Sequence, residues 1–442
     1  MKPQIGKRKL KSSGIDWIGD VPEGWGVRRI KYLVGGEGTV FMDGDWINSD
    51  IIVDDGVRYL TSGNVGVGVF KRQGNGHITD ETFKELNCLK ALPGDLMLCR
   101  LNEPLGRGCI IPDDEPYYVI AVDNVILRPE KDYDKRYIMH CVSCDRFSTA
   151  ALIAASGATM QRISRNDLGR LSIPVPPLNE QKRIAAKLDR LCGRVDELAA
   201  NLTKEVAALQ DYRKSLITEC VTKGLNPKAK MKPSGVDWIG KVPTEWNVEK
   251  VKYHYSVITG NGFPVELQGV EDGDYPVCKA SDISTKGKFV ESTKNWITKD
   301  IAELLGFNVI PRGSVIFPKI GEAMKKNSRK IVAVDCCVDN NCPGVFSPDM
   351  DEGYSYYAFT CIDMKLFDNH GPIPCLNNQK LKDYLMPIPP ANEQREIAAF
   401  LDKRCAVIDA KIAERQKQLE KLGEYRSSVI YEYVTGKREV SA

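Results

Sequence analysis

Few residues of this chain stand at spacings that chemistry could use. Asp113, Asp114 and Glu115 are adjacent carboxylates of the kind that can gather a metal ion for phosphodiester cleavage. No lysine at useful spacing completes such a site, and the run reads as a solvated acidic turn. Cys141 and Cys144 form the single C-x-x-C, with His140 beside the first as a corner for zinc. No second pair lies at ligand spacing, and His77, His254 and His370 are scattered, so thiols packed in a helix are the better reading. There is no G-x-x-x-x-G-K-[ST] phosphate loop, and the glycines of GNVGVGVF and GNGF read as turns. These residue types and spacings point to a non-catalytic chain.

The elements around these residues repeat. SGIDWIGDVPEGWGVRRIKY (13–32) returns as SGVDWIGKVPTEWNVEKVKY (234–253), identical at 12 of 20 positions. IPVPPLNEQKRIAAKLD (173–189) returns as MPIPPANEQREIAAFLD (386–402), identical at 11 of 17. The chain is two concatenated halves, each a Trp-containing leading segment, a long middle, a Pro-rich hinge and a charged final stretch. After the hinges, Pro-Pro followed by Asn179-Glu180 and Asn392-Glu393 signals helix starts, with the asparagine as N-cap and the glutamate as an early acid. Ile184, Leu188, Leu191, Val195, Leu198 and Leu202, then Val206, Leu209 and Leu216, form one apolar stripe. Leu401, Cys405, Ile408, Ile412, Leu419 and Leu422 form another, broken at Arg415. Each helix runs for roughly 44 residues, about 65 Å at 1.5 Å per residue, and two such stripes are expected to pair.

A length of 442 residues calls for more than one domain. The apolar share of 42% suits a globular chain, and a net charge of +3 requires any affinity for nucleic acid to come from local basic faces. The start MKPQIGKRKLKSSG lacks the core of a signal peptide, and no apolar run approaches a membrane span. The expectation is a cytoplasmic chain without a membrane partner, its 14 cysteines reduced. The middles, about 33–172 and 254–385, share only faint echoes, LPGDLMLCR with IPRGSVIFP and IAVDN with VAVDC. These read as turn-plus-strand pieces, and RYIMHCVSCDRFSTAALIAAS reads as helical, so each middle is a compact α/β domain. A repeated frame carrying two dissimilar heads fits a ligand with two different faces at a set separation, and double-stranded DNA is such a ligand.

WIGDVPEGW and WIGKVPTEW, the hinges IPVPPLNEQ and IPPANEQ, and GATMQRISRNDL before the first hinge resemble the specificity subunit of type I restriction-modification systems over essentially the whole chain. The resemblance implies two α/β target-recognition domains separated by two long antiparallel coiled-coil helices, with a pseudo-twofold internal repeat. On this plan 1–177 is the first recognition domain with its leading segment, 178–223 a long helix, 224–234 a linker, 235–390 the second domain, 391–436 the second long helix and 437–442 a tail. It also implies that each domain reads one half of an asymmetric, bipartite DNA target. Two copies of a DNA methyltransferase subunit would dock on the repeats, with restriction/translocase subunits joining through them. S-adenosylmethionine, ATP and Mg2+ would be bound by those partner subunits and no cofactor by this chain. NCPGVF (341–346) resembles the Asn-Pro-Pro-aromatic loop of amino-methyltransferases only in part, because its second proline is replaced and no glycine-rich methyl-donor site precedes it.

Direct readout needs Arg, Lys, Asn or Gln at base edges, and phosphates need cations and hydroxyls. By that chemistry the first domain offers Asn64, Lys71, Arg72, Gln73 and Asn75, then Arg100, Asn102 and Arg107, then Thr159, Gln161 and Arg162, the last three similar to the family's stretch before its hinge. The second offers Lys279 and Ser281, then Lys319, Lys325, Lys326, Asn327 and Arg329, then Asn377, Asn378, Gln379 and Lys380. Trp17, Trp25, Trp238 and Trp246 lie in the repeated part around a VP turn and read as anchors rather than base-stacking platforms. Two other function classes stay open at this point: a self-contained DNA-modifying enzyme, and a coiled-coil adaptor that binds proteins only.

Overall fold

The computed structural model describes residues 8–155, 161–285, 287–290, 293–369 and 371–440. The chain divides into two compact units, Met1–Thr203 with Lys417–Ala442, and Lys204–Gln416. Residues of each long helix therefore belong to both units.

In the first unit a four-stranded antiparallel sheet runs in the order Val40–Asp43, Asn124–Arg128, Leu96–Cys99, Gly108–Ile110. A three-stranded sheet places Val57–Leu60 between His77–Ile78 and Val119–Ile120, the latter pairing parallel. The leading segment pairs with the hinge through Gly26–Arg29 and Ser172–Val175. In the second unit the four-stranded sheet is Ser256–Thr259, Pro343–Phe346, Val315–Ile316, Lys330–Ile331, and the three-stranded one is Trp296–Ile297, Tyr275–Cys278, Cys337–Val338. Asn247–Lys250 pairs with Leu385–Ile388. Strand order and direction agree sheet for sheet, although the middles are dissimilar in sequence. The ladder also corrects one echo: Leu60 pairs with Ile120 and Cys278 with Val338, so the counterpart of 120–124 is 338–342 and not VAVDC at 332–336.

The identical motifs join each hinge to its unit. Gln181, buried, donates from Nε2 to Pro176 O at 2.8 Å and accepts from Asp134 N at 2.9 Å; Gln394 repeats this with Pro389 O at 2.9 Å and Asp351 N at 2.8 Å. Asp134 and Asp351 are themselves N-caps, of the helices Lys135–Val142 and Glu352–Cys361. Tyr137 Oη lies 3.1 Å from Pro174 O and 2.9 Å from Val434 O, and Tyr354 Oη lies 2.9 Å from Pro387 O and 3.4 Å from Val221 O. Trp25 and Trp246, both buried, donate from Nε1 to Glu180 and Glu393 at 3.1 Å each, which is the anchoring expected of them. Trp17 donates to Ser172 O at 3.0 Å, and Trp238 stacks on Tyr384.

The helices Leu178–Lys223 and Ala391–Val434 pack antiparallel. Within the first unit Asp196 meets Arg426 at 3.2 Å; within the second, Glu205 meets Arg415 at 2.8 Å and Arg213 meets Asp409 at 2.9 Å. Two expectations need correction. Both helices begin directly after the Pro-Pro pair, at Leu178 and Ala391, so Asn179 and Asn392 lie inside the first turn and are not N-caps. The stripe also departs from sustained heptads: Leu198 is 54% exposed, while Cys192 is buried with Ile184, Leu188 and Val195. A straight helix of 3.6 residues per turn drifts off a 3.5-residue repeat, and the seam moves with it. Among the described residues no helix is long and apolar enough to cross a membrane.

Candidate nucleic-acid interface

Three loops from distant parts of the sequence are stitched into one face in each unit. In the first unit Arg100 N donates to Asp123 O at 2.8 Å, Ile163 N to Arg100 O at 3.0 Å, and Asn102 N to Gln161 O at 3.1 Å. The second unit repeats the stitching, with Lys319 N to Asn341 O, Leu376 N to Lys319 O and Gly321 N to Pro374 O, each at 2.8 Å. Asn102 and its counterpart Gly321 both adopt a left-handed backbone, with φ of 57° and 63°, which turns each N–H toward the third loop. The first loop joins through the neighbouring strand: Ala121 N donates to Leu60 O at 2.8 Å and Asp339 N to Cys278 O at 3.2 Å. The first two nominated stretches of each domain are thus structural equivalents, whereas 375–380 of the second domain corresponds to 162–167 of the first, just beyond the stretch nominated there.

Several nominated side chains are engaged within the fold. Asn64 donates to Lys71 O at 2.9 Å and Gln73 O at 2.8 Å and accepts from Thr61 N, shaping its own loop. Arg100 is 6% exposed; it donates to Val122 O and Ile163 O and pairs with Asp43 at 3.0 Å, and burial holds its guanidinium pKa below the usual value against the pull of Asp43. Arg107 donates to five backbone carbonyls, among them Val65 O at 2.8 Å and Ser62 O at 3.3 Å, and so ties the second loop to the first. Asn327 and Arg329 both donate to Ile362 O at 3.1 Å, and burial lowers the Arg329 pKa to about 9. Asn377 caps the helix Asn378–Lys382, accepting from Gln379 N at 2.9 Å and Lys380 N at 3.1 Å.

Others reach the surface with one partner. Arg72 meets Asp114, and Arg162 meets Asp123 at 3.0 Å. Asn75 accepts from Arg58 at 2.7 Å, Lys279 donates to Gln268 at 2.7 Å and Lys325 meets Glu322 at 2.5 Å. Gln379 donates to Asp383 at 2.7 Å and Lys380 to Asp368 O at 3.1 Å. Lys71, Gln73, Asn102, Ser281 and Lys326 are exposed, and Gln161 and Lys319 half-exposed, with no side-chain bond among the described residues. Asn378 Oδ1 is buried without a partner among the described residues. Thr159 lies outside the described residues, as does His370.

Two residues beside the face escaped sequence reasoning. Arg165 lies 3.4 Å from Asp43 and donates to Phe41 O at 3.3 Å. Trp46 is 72% exposed and follows Asp45, which bridges to Ala121. A tryptophan in the polar run GDWINSD was the available signal. Asp113, Asp114 and Glu115 are exposed, Cys141 and Cys144 are buried in helical surroundings, and His140 Nε2 lies 2.7 Å from Asp189. No group of three metal-ligating side chains is assembled among the described residues.

Comparison with known proteins agrees with this architecture. The MjaX specificity subunit of a type I restriction enzyme from Methanocaldococcus jannaschii, so named provisionally, is 22% identical over 435 residues, 96% of each chain. The type I restriction enzyme EcoKI specificity subunit of Escherichia coli is 31% identical over 103 residues, 23% of this chain and 22% of its own. A solved chain from work on complex assembly and conformational transition of the type I R-M system shares the fold, with TM-score 0.67, 15% identity and coverage of 95% of this chain and 99% of that one. The family profile described as type I restriction modification DNA specificity domain matches twice, at 43–208 and 245–421, more than half of the chain and once in each half. The chain belongs to that family, the DNA specificity subunits of type I restriction-modification systems.

Proposed function

We propose that this chain is the non-catalytic addressing subunit of a type I restriction-modification complex. Each unit reads one half of an asymmetric, bipartite duplex target through its three-loop face. The observation that supports this most is the double construction: one stitched backbone frame, built twice, carries different side chains at equivalent positions, Arg100 against Lys319 and Arg165 against Asn378. Such a frame positions the loops, while the exposed cations, amides and hydroxyls meet phosphates and base edges.

The repeated leading segments and hinges are the surfaces that recur, and they suit two copies of a methyltransferase subunit, with restriction subunits joining through these. S-adenosylmethionine, ATP and Mg2+ belong to those partners in this reading. We assign 1–177 and 235–390 as the two recognition domains, 178–223 and 391–436 as the helices that space them, and 224–234 as the linker.

The test is an exchange of residues 33–172 for the corresponding segment of another family member, followed by genome-wide mapping of methylated sites. One half-site should change and the other should stay. A change in both halves, or methyl transfer by the purified chain without a partner, would refute the assignment. Four residues inserted beside Val206 should lengthen that helix by about 6 Å, close to two base pairs at roughly 3.4 Å each, and an unchanged spacer would show that the helices are not the ruler.

A further inference from the structure

The two units share a cleft whose contents differ. In the first unit it lies against the start of the long helix, and Arg8 occupies it, with Nη1 2.6 Å from Glu180 and Nε 2.7 Å from Glu439. The other oxygen of Glu180 accepts from Trp25 Nε1, and 430 Å³ stays open beside the guanidinium. In the second unit the frame recurs: Glu393 accepts from Trp246 Nε1 at 3.1 Å, and Thr244 N donates to Lys230 O at 2.8 Å as Glu23 N does to Lys9 O at 3.0 Å. That register puts Ala229 where the first unit has Arg8. A methyl group cannot reach the carboxylate, no cationic side chain pairs with Glu393 among the described residues, and the cleft widens to 570 Å³. Its wall also carries Glu396 where the repeat has Arg183 in the first unit, an acid in place of a base.

We infer that the second unit's cleft is a socket for an arginine side chain supplied by a protein partner. The first unit displays the bound state with an arginine of its own chain. Lysine is the poorer occupant: Lys9 and Lys230 line the two clefts, and neither pairs with the glutamate. A planar guanidinium can approach a carboxylate already held by an indole N–H while keeping donors for a second acid, as Arg8 does with Glu439. The socket does not depend on how the chain reads DNA.

Calorimetric titration of the full chain with L-argininamide at low salt tests this. One site per chain is expected in the wild type, two in Arg8→Ala, which empties the first cleft, and none in Ala229→Arg, which fills the second. L-Lysinamide should bind at least tenfold more weakly. No binding by the wild type, or a site retained in Ala229→Arg, overturns the socket. Glu393→Gln, which keeps an acceptor for Trp246, must also lose the site, so the socket can still be refuted even if Ala229→Arg fails to fold. In the complex assembled with methyltransferase the site should be closed to the probe; a site still open there overturns the protein-partner assignment, and that arm alone rests on the proposed function.

Discussion

Lys71 and Lys326 offer the sharpest test of the interface, because each is exposed and lacks a side-chain bond among the described residues, one on each unit's loop face. A cation that neutralises one phosphate contributes about −0.9 to the slope of log affinity against log salt. A fourfold rise in salt, from about 50 to 200 mM, then costs the wild type about 3.5-fold more affinity than a variant lacking one such contact. Lys71→Ala and Lys326→Ala should each flatten the slope by about 0.9, and the double variant by about 1.8, a difference of roughly 12-fold over that interval. The assay is fluorescence anisotropy with a duplex carrying the mapped target, titrated at several salt concentrations, with the chain assembled with its methyltransferase. Arg100→Leu is the contrast: its donors serve Val122 O, Ile163 O and Asp43, so it should lower stability and weaken binding through loss of the folded face. Slopes unchanged in both lysine variants would refute the placement of DNA on these loops.

Gln181→Leu and Gln394→Leu should each destabilise by about 2–5 kcal/mol, because each strands a buried N–H and a carbonyl; urea unfolding followed by limited proteolysis should show the loss confined to the unit that carries the change. Asn124 is fully buried with neither amide atom partnered among the described residues, and its counterpart in the second unit is Cys342. Asn124→Cys should therefore stabilise the first unit by about 1–3 kcal/mol, and a lowered thermal midpoint would sink that account. Burial pushes the Asp189 carboxyl up, but His140 at 2.7 Å and Arg136 at 3.0 Å more than offset it, leaving its pKa below the usual value. A depressed carboxylate gives stability that is present above the unfolded pKa of about 3.9 and lost as pH falls through the folded one. Asp189→Asn should thus flatten the acid limb of the stability profile, read by circular dichroism between about pH 5 and 3.

The repeat was legible in the amino acids because its positions have obligatory side-chain partners. Trp25 needs Glu180, Gln181 needs the Pro176 carbonyl and the Asp134 N–H, and the second half preserves each pair. Side-chain hydrogen bonds of that kind tolerate few substitutions, so identity marks them. The long helices were legible for a similar reason, an apolar spacing that only a buried seam explains, although where that seam leaves the heptad followed from the 3.6-residue turn and not from the pattern.

The equivalence of the two middles was settled only in three dimensions. Their frame is held by backbone N–H and carbonyl groups, which every residue supplies, so Arg100 can stand opposite Asp123 and Lys319 opposite Asn341 with no resemblance between them. That is why VAVDC misled and why the true counterpart lay six residues further on. The fate of each charge was likewise tertiary: Arg100 and Arg107 look as available in the sequence as Lys71, yet carbonyls brought from other loops engage the arginines and leave the lysine in water. The sequence by itself determined that there are two like stalks and two unlike heads, because partner-specific side chains leave a mark in the residues. Which side chains of those heads face outward was decided by long-range backbone pairing, which leaves none.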